Sequence, residues 1–256
     1  MYGVILRYAI KLAALLGLFA SFQAHAIANG QPVSDKQYAE DYEWAVAIVH
    51  KVSGGICGGA IIAPRWVITA AHCTGKNKYV LVGSADRTEA RRVEIERAIR
   101  HPGFDKLTLQ NDVGLLYLAE AVEIAPVTLA SFPESQALLR PGASATIAGW
   151  GRPGIGEPPA MRLIVSATQL NLLTVLGTRI TYDDPETGPC GSDSGGPLVM
   201  RTSDDEPVLV AVISATEEKL CARGGGLTVV TYLALAQGFI EQQIARFGSG
   251  VIADAT

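Results

Sequence analysis

The sequence has little of what marks a nucleic-acid-binding, metal-binding or membrane-embedded protein. Charged residues make up 18% of its 256 residues, its formal net charge is −4, and no cluster of Lys and Arg stands out. Nucleic acid is therefore not an expected partner. No C-x-x-C pair or Cys/His spacing typical of a metal site occurs, so neither a metal nor another cofactor is expected. Beyond residue 26, no apolar run is long enough to span a bilayer.

The one concentrated apolar run lies near the N-terminus. Arg7 and Lys11 precede the run Leu12–Ala20, and the small-x-small tripeptide Ala24–Ala26 follows it. This order is typical of a secretory signal peptide, and the run is too short for the alternative, a membrane anchor. We therefore predict a secreted protein, extracellular or periplasmic, whose mature chain begins at Ile27.

Four cysteines lie in the predicted mature chain: Cys57, Cys73, Cys190 and Cys221. An even number of cysteines in an exported chain predicts disulfides rather than free thiols. Four cysteines allow three pairings, and the spacing alone does not choose among them.

Short apolar, β-branched segments recur along the chain between Gly, Pro, Asn and Asp, which predicts an all-β sandwich or barrel. The loose stretch Ala130–Ser144 divides the segments into two runs and is interpreted as a linker. One helix is expected near the C-terminus, before a tail at 248–256. Its apolar face is formed by Leu235, Phe239, Ile240, Ile244 and Phe247.

Three short motifs carry residues suited to nucleophilic catalysis. His72 follows a strand-like segment in TAAHC, Asp112 opens an apolar segment in NDVGLL, and Ser194 lies in DSGGP. Taken singly, each residue is more typical of a structural role. A serine hydroxyl needs a base within hydrogen-bond reach, and a buried carboxylate next to that base fixes its tautomer.

Together, these motifs resemble the trypsin/chymotrypsin family of serine proteases, with His, Asp and Ser in the family's order. The resemblance implies two six-stranded antiparallel β-barrels with a site between them, which we place at 27–137 and 138–247. It implies His72 as general base, Asp112 as its orienting partner and Ser194 as nucleophile. It also implies the disulfides Cys57–Cys73 and Cys190–Cys221.

The resemblance further assigns the oxyanion hole to the backbone N–H groups of Ser192 and Ser194. A glycine is expected at position 192, so a positive φ there would cost a serine about 1–2 kcal/mol. The donor is a main-chain group, so we expect a slower or restricted enzyme rather than an inactive one. Activation is expected through an ion pair between the new N-terminus at Ile27 and Asp193, with no propeptide.

Specificity is expected to come from a shallow neutral pocket that receives the residue preceding the cut. The resemblance places Gly188 and Pro189 at its base, where trypsins carry an aspartate, and Ser214, Ala215, Thr216 and Gly226 along its walls. Without a fixed negative charge, a bound Lys or Arg would stay unpaired. Neutral residues of small to medium size, such as Ala, Val, Thr or Leu, are therefore predicted, unless Glu217 or Glu218 turns inward.

Two function classes remain open from the sequence. The first is a monomeric secreted serine endopeptidase acting on proteins or peptides, with a proteinaceous inhibitor as a further partner. The second is a binding module that keeps the protease fold without catalysis, because fold alone does not decide function. An α/β-hydrolase esterase is disfavoured, since it requires Ser first and His last in the chain, with alternating strands and helices.

Overall fold

The computed structural model describes residues 27–152, 156–217 and 226–247. The strands are β1 Gln31–Pro32, β2 Ala45–His50, β3 Ile56–Ala63, β4 Trp66–Thr69, β5 Lys78–Val82, β6 Arg91–Arg100, β7 Gly114–Leu118, β8 Thr128–Leu129, β9 Ser144–Gly149, β10 Ile164–Gln169, β11 Asn171–Leu176, β12 Arg179–Asp183, β13 Pro197–Arg201, β14 Pro207–Thr216 and β15 Leu227–Tyr232. The α-helices are α1 Asp35–Gln37, α2 Phe132–Leu138 and α3 Gln237–Phe247.

The first half is a closed barrel in the order β2-β3-β4-β7-β6-β5. Its strands β2, β3 and β4 are buried along nearly their whole length, because β-branched and small residues face both the barrel interior and the second half. Trp66 is fully buried in this core. Closure leaves no unpaired strand edge, so every ladder hydrogen bond is made within the barrel.

The second half is a sheet that contains nine strands among the described residues, in the order β1-β10-β9-β13-β14-β15-β12-β11, with β8 paired to β14. The predicted all-β, chymotrypsin-like fold is confirmed. The sheet exceeds the six strands expected for three reasons. The N-terminal β1 pairs with β10, β8 joins β14 in parallel, and β11 pairs with β12 at the far edge.

The expected linker at 130–144 contains the helix α2. Ser131 caps it by accepting a hydrogen bond from the Glu134 N–H, and the Glu134 carboxylate accepts one from the Ser131 N–H. This reciprocal pair is a capping box, and Pro133 suits the first turn because it needs no N–H partner there. The helix was not predicted, although S-x-x-E is itself a helix-start signal, and the role of the stretch as a linker stays a prediction.

The C-terminal helix α3 packs on the first barrel although it follows the last strand of the second half. Ile240 and Ile244 are buried in the first-half core, and Phe247 lies 6.4 Å from Trp66 between ring centroids. Leu235 does not belong to the predicted stripe, because it lies in a separate 3-10 turn and is 47% exposed. The helix therefore joins the second half to the first barrel. The boundary between the two predicted barrels, at 137, stays a prediction. The predicted tail lies outside the described residues.

A disulfide joins Cys57 in β3 to Cys73 in the turn after β4. Such a bond fits an extracellular protein, because reducing compartments do not maintain it. Cys190 is also disulfide-bonded, and its predicted partner Cys221 lies outside the described residues. Among the described helices, none has the length and apolar character needed to cross a membrane.

Candidate active site

His72 lies in a 3-10 turn, Ala71–Cys73, immediately after β4. The turn is fixed by Thr74, whose Oγ1 donates to the Ala71 carbonyl at 2.7 Å, and by Lys78, whose Nζ donates to the Cys73 carbonyl at 2.7 Å. One ring nitrogen of His72 and the sulfurs of Cys57 and Cys73 lie within 4.8 Å of one another. Because the two sulfurs are bonded to each other, they are not thiolate metal ligands.

Ser194 lies in a tight turn that contacts the strand leading to His72. Its carbonyl oxygen accepts a hydrogen bond from the Gly58 N–H in β3 at 2.8 Å. Gly195 has φ +80, and a Cβ there would overlap Thr69 Oγ1 at the end of β4. Glycine is required because it allows both this backbone conformation and this approach. The turn carrying Ser194 and the turn carrying His72 are thus held together across the two halves.

The carboxylate of Asp112 is fully buried and accepts three hydrogen bonds. Its Oδ1 accepts from the His72 main-chain N–H at 3.0 Å, and its Oδ2 lies 2.8 Å from His72 Nδ1. Ser214 Oγ donates to the same Oδ2 at 2.6 Å. The structure therefore brings His72 and Asp112 into direct contact, with the His72 side chain 34% exposed on its other side.

The Asp112 carboxyl is held in its charged form. Burial alone would raise the pKa of Asp112, but the hydrogen bonds and charge of His72 and the Ser214 hydroxyl bring it below its ordinary value. Hydrogen bonds to a carboxylate favour ionisation because they stabilise the negative charge. A charged Asp112 holds the proton of His72 on Nδ1, which leaves Nε2 able to accept one.

Two hydroxyl groups that donate hydrogen bonds to Asp112 were not predicted to do so from the sequence. Ser214 was assigned to substrate binding alone, yet its hydroxyl contacts the Asp112 carboxylate. Thr231 in β15 donates through Oγ1 to the Asp112 carbonyl at 3.0 Å. Both residues are buried hydroxyls in apolar strands. A buried hydroxyl needs a partner, and that need was the available signal.

Ser192 has φ +78, in the conformation that favours glycine. Its main-chain N–H and that of Ser194 donate no hydrogen bond to any described residue. By contrast, the N–H groups of Asp193, Gly195 and Gly196 all have carbonyl partners. Two unpaired donors therefore alternate with paired ones in the same turn.

Asp193 is a second fully buried carboxylate beside the same turn. It accepts hydrogen bonds from the N–H groups of Gly151 at 2.8 Å and Cys190 at 2.9 Å. Burial raises the pKa of Asp193 to about 7, because these two bonds only partly offset the loss of hydration. Ile27 is also fully buried, in the apolar cluster that contains Ile147.

The residues of the predicted specificity pocket lie at the ends of β14 and β15 and in the segment before Cys190. Thr216 in β14 is paired with Thr228 in β15, and Gly226 has φ +122. A Cβ built on Gly188 would make an ordinary contact, 3.8 Å, with Thr228 Oγ1. The Glu217 carboxylate accepts a hydrogen bond from the Leu227 N–H at 3.4 Å. Glu218 lies outside the described residues.

The family model described as Trypsin matches residues 29–240, which is most of the chain. The chain belongs to the trypsin family of serine endopeptidases. The resemblance in the three short motifs therefore extends over both halves of the fold.

Individual relatives support the same assignment. Mast cell protease 3 of Ovis aries is 33% identical over 167 residues, which cover 58% of this chain and 66% of the relative. Duodenase-1 of Bos taurus is 33% identical over 172 residues, covering 60% and 68%. A trypsin of Phaedon cochleariae is 30% identical over 181 residues, covering 62% and 70%. These alignments thus span about two thirds of each relative.

Replacing Ser192 with glycine is expected to stabilise the protein. Relief of the positive φ raises the free energy of unfolding by about 1 kcal/mol, net of the greater freedom of glycine in the unfolded chain. The main-chain N–H is retained, so activity should change by no more than a few-fold. Urea unfolding and kcat/KM measure the two effects. The control Ser144→Gly, in the exposed start of β9, should instead destabilise. A less stable Ser192→Gly protein would contradict this account.

Asp193 is expected to make stability depend on pH while residue 27 remains joined to residue 26. A carboxyl whose folded pKa is raised stabilises the fold below its unfolded pKa, about 4. That contribution is lost as the pH rises to about 7. Unfolding between pH 4 and 8 should therefore show a decline of a few kcal/mol in the wild type that is absent from Asp193→Asn. Equal slopes in the two proteins would show that another group is responsible.

Proposed function

We propose that the protein is a secreted serine endopeptidase that forms an acyl-enzyme on Ser194. The contact between His72 Nδ1 and the buried Asp112 carboxylate, at 2.8 Å, carries the proposal. It supports His72 as general base, because the imidazole is held in one tautomer with Nε2 directed away from Asp112.

The proposed reaction proceeds in two halves. His72 Nε2 takes the proton of the Ser194 hydroxyl as Oγ attacks the carbonyl carbon of the scissile peptide bond. The same proton then passes to the leaving amine as the C–N bond breaks, which leaves an ester on Ser194. A water molecule, deprotonated by His72, attacks this ester, and the proton returns to Ser194 Oγ as the acid product departs.

The oxyanion of each tetrahedral intermediate is proposed to bind the main-chain N–H groups of Ser192 and Ser194. The two groups donate to no described residue, which supports their availability for a ligand. Each such donor contributes about 10²–10³ in rate, since it stabilises charge that develops only in the transition state. Ser192 keeps a positive φ that costs stability, which supports a functional role for the direction of its N–H group.

Activation is proposed to follow cleavage before Ile27. The buried Asp193 carboxylate lacks a cationic partner among the described residues, and its raised pKa reflects that lack. A new ammonium group at Ile27, already buried in the second half, would supply the partner. Export and removal of residues 1–26 would then produce the active form. The Cys57–Cys73 disulfide is compatible with export to an oxidising compartment.

A fluorophosphonate probe should label Ser194 in the protein that begins at Ile27. Attack by Ser194 Oγ on phosphorus expels fluoride, and His72 accepts the hydroxyl proton. Labelling should be lost in Ser194→Ala and reduced at least about 10³-fold in His72→Ala. The control His50→Ala should label normally, because His50 bonds only to its own loop. Absence of labelling in the wild type would favour the alternative, a binding module without catalysis.

Cleavage is proposed to follow small or medium neutral residues. Peptides that differ only at the residue preceding the cut should be hydrolysed faster with Ala, Val, Thr or Leu than with Arg or Lys, because no fixed charge stands at Gly188. Removal of the Thr216 side chain should shift the preference toward Phe and Tyr by deepening the pocket. Faster cleavage after Arg or Lys would contradict a neutral pocket and indicate Glu217 or Glu218.

A further inference from the structure

The turn between β11 and β12 is fastened to the segment that precedes Asp112. Thr178, at this turn, is buried, and its Oγ1 makes two hydrogen bonds with that segment. It accepts from the Asn111 N–H at 2.7 Å and donates to Gln110 Oε1 at 3.1 Å. One hydroxyl of the second half thus makes hydrogen bonds with the two residues that precede Asp112.

The Gln110 side chain makes further hydrogen bonds to the main chain of the β11–β12 turn. Its Oε1 also accepts from the Thr178 N–H at 3.1 Å, and its Nε2 donates to the Leu176 carbonyl at 2.8 Å. Gly177 lies between these two partners with φ +58, and a Cβ there would meet Gln110 Oε1 at 2.6 Å. The turn is therefore shaped around the Gln110 amide. We call the pair Gln110 and Thr178 the clasp.

The clasp is anchored in the sheet that carries the catalytic turn. The Thr178 carbonyl accepts a hydrogen bond from the Tyr232 N–H in β15 at 2.7 Å. The neighbouring β15 residue, Thr231, donates to the Asp112 carbonyl. The segment from Gln110 to Asp112, although it enters the first barrel at β7, is thus bonded to the second half at consecutive residues.

The backbone of this segment needs such support. Leu109 and Asn111 both have φ +57, a conformation that costs free energy for residues other than glycine. Asparagine tolerates this region better than leucine does. The clasp shares this support with the Asn111 side chain, whose Nδ2 donates to the Gly103 carbonyl at 3.0 Å, and Asp112 follows the segment directly.

We propose that Gln110 and Thr178 are positioning residues that set where Asp112 lies relative to His72 and Ser194. The kinetic effects expected from this proposal rest on the proposed serine endopeptidase function. Both residues act through Asp112 and touch neither substrate nor reacting atoms. A displacement of about 1 Å in a catalytic group lowers a rate by up to about 10²-fold, so loss of the clasp should lower kcat and leave substrate binding nearly unchanged.

The test uses the protein beginning at Ile27 with matched variants. Thr178→Val removes both hydroxyl hydrogen bonds at nearly constant volume, and Thr178→Ser keeps them. We expect kcat to fall about 10-fold in Thr178→Val, with KM within twofold, and to stay within twofold of the wild type in Thr178→Ser. Thr174→Val, on an exposed site in the same hairpin, is the control and should match the wild type.

A second readout does not depend on turnover. The proton between His72 Nδ1 and Asp112 Oδ2 should give a far-downfield NMR resonance that is shifted or broadened in Thr178→Val and restored in Thr178→Ser. Gln110→Ala, which changes a half-buried side chain, should act in the same direction if Thr178→Val fails to fold.

The outcomes separate the two proposals. Unchanged kcat and an unchanged resonance in both Thr178→Val and Gln110→Ala would overturn the clasp. Equal impairment of Thr178→Ser and Thr178→Val would overturn it too, because packing rather than hydrogen bonding would then be responsible. A wild type that the fluorophosphonate leaves unlabelled would overturn the endopeptidase function, and the resonance comparison would still decide the clasp.

Discussion

The buried carboxylate of Asp112 is the group on which the arrangement of the two halves depends. A buried charge is tolerated only where hydrogen bonds replace its lost hydration. Here the donors come from both halves, with His72 in the first barrel and Ser214 in β14 of the second. Because the second half supplies one of the three hydrogen bonds to this carboxylate, the charge favours one arrangement of the halves in addition to the apolar area that they bury.

The pKa values of two buried aspartates in this site are shifted in opposite directions. The pKa of Asp112 is lowered because His72 and Ser214 supply polar and charged partners, whereas the pKa of Asp193 is raised to about 7 with two main-chain donors only. The first carboxylate is charged as the chain stands. The second has no cationic partner among the described residues, and the proposed N-terminus at Ile27 would supply one. Under the proposed activation, this contrast would withhold full activity until cleavage before Ile27.

Short motifs singled out His72 and Asp112, which the structure places in contact, but they gave less information about the residues around this pair. His72, Asp112 and Ser194 were each singled out by a short pattern of neighbouring residues. The helix α2 was missed although Ser131 and Glu134 are a local signal. Gln110 and Thr178 were not predictable, since their hydrogen bonds depend on how the hairpin β11–β12 lies against a segment 68 residues away. The extra strands of the second sheet depend on long-range pairing in the same way.

The Cys57–Cys73 disulfide has a consequence that reaches beyond stability. Cys57 precedes Gly58, whose N–H holds the Ser194 carbonyl, and Cys73 follows His72 directly. The covalent bond therefore joins the support of the nucleophile to the base. Under the proposed mechanism, reduction would remove this link between the support of Ser194 and His72. The oxidising state of its surroundings would in this sense be a condition for the proposed catalysis.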